Sequence, residues 1–274
     1  MKKILMVCFL IIVTIACVAL GINTRYKNRI EIMQLPGEGN GYIIETETNN
    51  IIIIDGGTKN DAINIKKIIK DKGNPTIIGW YLTSVMPENS GALCEIINNS
   101  EDIIISNIFT SVVTDLGWYA NCGIEQETID EIEKTINTIM YGKYKDIVTE
   151  MGRNVEYQME NFYVKALEVK EETTYNKLQD QNIVLKLTNR FKNVIFLGNI
   201  TEARANFFLT SNVSEIQNIN LIQIAGTNIP NQIIDLIYNI KPEILLYSNN
   251  ENNVFQNFEN VFTKQENNKV VEIW

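Results

Sequence analysis

The sequence predicts a mixed α/β fold behind an apolar N-terminal segment, and three observations carry that reading. Short apolar runs at 51–54, 77–82, 193–197, 220–224 and 244–247 have strand length and end in polar or Gly-bearing loops. Stretches at 61–70, 125–145 and 229–239 space their apolar residues helically instead. The strands up to residue 55 are joined by short turns, whereas the next ones alternate with helices. The chain is 274 residues long, 45% hydrophobic and 21% charged, which excludes a disordered polymer. About 250 residues beyond the N-terminal segment suffice for one large α/β domain or two small ones.

Composition removes several functions at once. The net charge is −9, and nucleic-acid surfaces are basic, so DNA or RNA is not expected as a main ligand. The chain contains 0 His. Imidazole bases, imidazole metal ligands and Ser-His or Cys-His dyads are therefore excluded. Of 4 Cys, Cys8 and Cys17 fall in the apolar segment, while Cys94 and Cys122 lie far apart without Cys-x-x-Cys spacing. A Cys94–Cys122 disulfide fits an oxidising compartment, but two buried thiols are the preferred reading.

Met1-Lys2-Lys3 is a basic start, and Ile4 to Gly21 carries no charge. About 18 apolar residues are near the lower limit for a membrane-spanning helix. No Ala-x-Ala cleavage site follows, so residues 1–22 read as a retained single-pass anchor. Lys2 and Lys3 favour a cytoplasmic N-terminus and an extracytoplasmic domain, although Arg25, Lys27 and Arg29 weaken the asymmetry. Thr14-Ile15-Ala16-Cys17 leaves a lipid anchor open as the alternative. Residues 23–28 form a polar linker, and residues 29–274 form the globular part.

Strands are predicted at 29–34, 42–46 and 51–54, with a Gly-dense turn at 35–41. Asp55-Gly56-Gly57-Thr58 closes the third, a helix follows over 61–70, and the next strand runs from Ile77 to Leu82. A loop from Thr83 leads into a helix, for which Pro87 suits the last loop position or the first turn. That helix covers 93–98, and a strand at 102–109, a loop over 111–123 and a helix over 125–145 come next. Two strands at 152–170 turn near Glu160-Asn161, a polar loop covers 171–181, and a hairpin pairs 182–188 with 193–197. Gly198-Asn199-Ile200-Thr201 then starts a helix to about residue 209. A strand at 220–224, a helix at 229–239, a strand ending at Ser248 and a terminal strand at 270–274 complete the chain.

Three of these strand ends resemble one family. Thr83-Ser84-Val85-Met86-Pro87-Glu88-Asn89-Ser90-Gly91-Ala92 follows the frame Thr-His-x-His-x-Asp-His-x-Gly-Gly. Gly37 to Glu45 and Ile51 to Gly57 resemble the paired strand starts of ComEC-type competence proteins, and Gln181 to Leu187 with Phe196 to Ala203 resembles their second hairpin. Gly226-Thr227 matches the Gly-Ser of their His-His-Gly-Ser motif, and Lys241-Pro242 their following Lys-Pro. The chain thus resembles the metallo-β-lactamase superfamily over about residues 29–250. The resemblance implies an αββα four-layer sandwich with its site where these strand ends meet.

In that family the site holds one or two zinc ions that activate water. The resemblance places Ser84, Met86, Glu88, Asn89, Asn199, Ile224 and Ala225 at the ligand positions. Every imidazole is gone, and Asn199 replaces the bridging Asp, so no zinc cofactor is expected. A residual polar site of Asp55, Glu88, Asn199 and Thr227 remains as a candidate. The preferred expectation is a membrane-anchored domain without hydrolase chemistry that binds a protein or small molecule. The alternative keeps a phosphodiesterase-like hydrolase with Mg²⁺ or Mn²⁺ on oxygen ligands.

Overall fold

The ordering of the strands is clearest in chain order. The computed structural model describes residues 30–263 apart from 38, 101, 171–176 and 250–253, together with 270–273 and residue 11. Strands β1 (Ile30–Gln34), β2 (Gly41–Glu45) and β3 (Ile51–Asp55) form an antiparallel meander. Helix α1 (Ala62–Asp71) leads to β4 (Ile77–Tyr81), and α2 (Pro87–Asn99) to β5 (Ile108–Thr110). Helices α3 (Leu116–Asn121) and α4 (Gln126–Ile136) precede β6 (Val148–Glu150). A second meander follows: β7 (Glu156–Met159), β8 (Phe162–Glu168), β9 (Val184–Thr188) and β10 (Asn193–Phe196). Helix α5 (Glu202–Ser211) then leads to β11 (Leu221–Ile224), and α6 (Asn231–Ile240) to β12 (Ile244–Tyr247). Strands β13 (Val261–Thr263) and β14 (Val270–Ile273) come last.

The strands make two seven-stranded sheets, ordered β14-β1-β2-β3-β4-β5-β6 and β13-β12-β11-β10-β9-β8-β7. In each, antiparallel pairs give way to parallel ones, at β3–β4 in the first and at β10–β11 in the second. Strand alternation explains how both faces are filled. Ile52 and Ile54 of β3 face the second sheet, where they join Leu185, Phe196 and Leu221. Ile51 and Ile53 face outward and pack with Ile65 and Ile69 of α1 and Leu93 and Ile96 of α2. On the other side, Ile222 and Ile224 of β11 pack with Phe208 of α5 and Ile233 and Ile237 of α6. Helices cover both outer faces, which makes the four-layer αββα sandwich that the sequence implied.

Several boundaries differ from expectation. The loop over 111–123 contains α3, because Asp115 caps it by accepting the Gly117 amide at 2.9 Å. The helix before Gly91 starts at Pro87, as a first-turn proline permits. The predicted strand at 102–109 shrinks to Ile108–Thr110, with one earlier bridge between Ile77 and Ile105. The helix over 125–145 widens into a π-turn at Asn137–Tyr141 and stops before Gly142, where a Cβ would lie 2.2 Å from the Thr138 carbonyl oxygen. Strands β6 and β13 were not anticipated, since three residues carry too little alternation to read. Among the described residues Cys94 and Cys122 form no disulfide, and Cys94 Sγ lies 3.7 Å from Thr135 Oγ1. The expected anchor at 4–21, with Cys17, lies outside the described residues, apart from residue 11. Among the described residues no helix is long and apolar enough to cross a membrane.

Candidate functional site

A cleft of about 180 Å³ opens between the sheets at the carboxyl ends of β3, β4, β10 and β11. Ligands in α/β folds favour this end of parallel strands, where connections diverge. The cleft is built in two walls.

The first wall is the stretch from Thr83 to Gly91. Asp55 ends β3 in the left-handed region, at φ 58°. Its buried carboxylate accepts the Thr83 amide at 2.8 Å, the Thr83 hydroxyl at 2.7 Å and the Asn89 side-chain amide at 2.9 Å. Burial pushes this carboxyl up to about 7, against the lowering effect of those three bonds and with the nearby Glu88 charge adding to the rise. Ser84 Oγ accepts the Met86 amide at 3.1 Å, a local turn bond. Met86 borders the cleft but packs with Val85, Val113 and Tyr119. Glu88 is exposed at the rim, in the first turn of α2. Gly91 lets that helix approach the preceding loop, since a Cβ would fall 2.5 Å from the Lys59 nitrogen. The Asn40 amide donates to the Glu88 carbonyl at 2.9 Å and ties the β1–β2 turn to this wall.

The second wall comes from the loops before β9 and after β10 and β11. Asp180 holds the first loop by accepting the Lys177 amide at 2.9 Å and the Thr201 hydroxyl at 2.7 Å. Buried Arg204 donates to the carbonyls of Asp180 and Asn182. Asn182 Nδ2 donates to the Asn199 carbonyl at 2.8 Å, joining the two loops. Beneath them, Tyr42 of the first sheet and Ser248 of the second hydrogen-bond at 2.8 Å. Gln223 Nε2 donates to Ser248 at 3.1 Å while its Oε1 accepts the Gly198 amide at 3.1 Å.

The structure therefore brings Asp55, Ser84, Met86, Glu88, Asn89, Asn199 and Ala225 to one cleft. It separates Ile224 and Thr227 from them. Ile224 lies in the helix-side core, because neighbours on β11 point to opposite faces and Gln223 and Ala225 take the cleft side. Thr227 is exposed and lines an adjoining groove of about 530 Å³. Sequence reasoning missed Asn40, Gln179, Gln181, Asn182 and Gln223, all of which line the cleft. Period-2 alternation was the available signal for Gln223.

With this arrangement the resemblance to known structures is broad. The metallo-β-lactamase fold protein YhfI from Bacillus subtilis aligns with TM-score 0.54 and 8% identity over 90% of this chain and 100% of its own. The chain has the metallo-β-lactamase fold. Tm1679, a metal-dependent hydrolase of the β-lactamase superfamily, aligns with TM-score 0.50 and 10% identity over 90% of this chain and 98% of its own. The long form of RNase Z from yeast gives TM-score 0.50 and 8% identity over 80% of this chain but 36% of its own. No family model and no curated protein matches the sequence.

The residues at the fold's metal site do not fit zinc. They offer a hydroxyl, a thioether, two amides and a methyl group, with no imidazole or thiolate. Of the two carboxylates, Asp55 already accepts three hydrogen bonds and Glu88 stands at the exposed rim. Among the described residues no three His, Cys, Asp or Glu side chains gather into a metal-ligating group.

Proposed function

We propose that this protein is a membrane-anchored metallo-β-lactamase-fold domain, of the ComEC-like type, that has lost zinc hydrolysis and serves as a binding module. One observation carries the reading. Asn89, at a position the family gives to a metal-ligating histidine, donates its side-chain amide to Asp55, so protein hydrogen bonds replace a metal-ligand bond. The glycines and loop bonds around the site keep the cleft open although its donors are unsuited to zinc.

An Mg²⁺ or Mn²⁺ hydrolase has less support. Such ions need several ionised or carbonyl oxygens directed at one point. Asp55 is committed to Thr83 and Asn89, and Glu88 stands apart at the exposed rim. Metal analysis of the full chain purified in the presence of zinc tests the proposal, and substoichiometric metal is expected. One zinc per chain together with hydrolysis of a phosphodiester or ester overturns it. Resistance of the chain to alkaline extraction from membranes tests the anchor separately.

A further inference from the structure

We infer that the cleft takes an uncharged, hydroxyl-rich ligand of sugar-ring size, with room for a chain to continue into the adjoining groove. This rests on the binding-module reading above and names its ligand class. Asn40, Gln179 and Asn199 line the cleft with side-chain amides that, among the described residues, make no hydrogen bond, and Asn182 Oδ1 accepts none from them. Gln181, 3% exposed, has its Nε2 buried without a partner behind them. Each amide offers a donor and an acceptor side by side, and a hydroxyl is the small group that both donates and accepts. A rigid wall of unspent amides is therefore matched by a polyol better than by any apolar ligand, which would strand them at a cost of about 1–3 kcal/mol per buried group.

Charge narrows the class further. Among the described residues no Lys or Arg lines the cleft, and the ionisable residues that do, Asp55 and Glu88, are acidic. Phosphate or carboxylate would meet repulsion without compensation. An amine finds the Asp55 oxygens already bonded to Thr83 and Asn89, and Glu88 stands at the exposed rim, where water screens its charge. The volume of about 180 Å³ lies below the ~300–1,000 Å³ of drug-sized sites and suits a single ring. Gln179 and Asn199 line both the cleft and the groove of about 530 Å³, so the two hollows adjoin. Ile200, Ile229 and Pro230 give that groove apolar surface for the C–H faces of further rings.

Saturation-transfer NMR on the full chain, held in a detergent without a sugar headgroup, tests this. The probes are glucose, N-acetylglucosamine, their β-1,4-linked trimers, methyl phosphate and methylammonium. At least one sugar is expected to saturate, the trimers more strongly than the single rings, and the charged probes are not. Asn199→Leu and, separately, Gln179→Ala are expected to weaken sugar binding about tenfold with an unchanged melting temperature. Preferential saturation of methyl phosphate or methylammonium overturns the inference, as does sugar binding unaffected by either variant. Absence of sugar binding in a zinc-free protein defeats this inference alone, whereas stoichiometric zinc together with phosphodiester or ester hydrolysis in the same sample defeats the proposed function.

Discussion

On the wall made by β3, β4 and α2, Asp55, Thr83 and Asn89 spend their polar atoms on one another. On the wall made by the loops around β9, β10 and β11, the backbone is pinned by Asp180 and Arg204 while the amides of Gln179 and Asn199 stay open. The first wall is closed chemistry and the second is open chemistry on a fixed frame. Substitutions in the first should therefore change stability, and substitutions in the second should change binding.

The largest effect is expected at Asp55. Asp55→Ala removes the acceptor of three buried donors and should destabilise the fold by about 3 kcal/mol, measured by urea unfolding. A loss below about 1 kcal/mol would show that the first wall is not a structural unit.

A smaller effect comes from pH. The folded carboxyl of Asp55 sits near 7, above its ordinary value of 3.8, so the folded state holds a proton that the unfolded state has released. The stability that Asp55 contributes is then fully present below its ordinary value and is lost as pH rises toward 7. The loss should be about 2 kcal/mol between pH 5.5 and 7.5, with a flat profile above. With 0 His in the chain, no imidazole blurs this window. The slope should vanish in Asp55→Asn, and a slope that survives places the titration elsewhere.

The smallest effect is expected on the open wall. Asn199 is half-buried and its side chain has no partner among the described residues, so Asn199→Ala should shift unfolding by no more than about 0.5 kcal/mol. A large loss would mean that this amide is structural and would erase the contrast between the walls.

Much of the architecture was legible because it rests on local rules. The run Ile51 to Ile54 announced a strand covered on both faces, and Asn199 and Ser84 were placed at strand ends that do meet. The errors have physical causes. Ile224 and Ala225 were paired by motif position, yet adjacent strand residues face opposite ways, so Ile224 went to the core. Thr227 lies beyond Gly226, whose φ of +92° turns the chain away before it. Gln179 had no signal at all, and Asn182 counted only as part of a hairpin motif, because a polar loop gains meaning only when Arg204, distant in sequence, donates to its carbonyls.

The edge of the first sheet carries a kinetic consequence. β14, at residues 270–273, pairs antiparallel with β1, at residues 30–34, and supplies that strand's outer partner. During synthesis β1 emerges more than two hundred residues ahead of the strand that covers it. Until then its outward N–H and C=O groups form an open edge able to recruit another chain. So distant a closure also slows folding, since the loop entropy is lost before the pairing is gained. Truncation before residue 270 would make that transient edge permanent, and self-association on the ribosome or after release would be its signature.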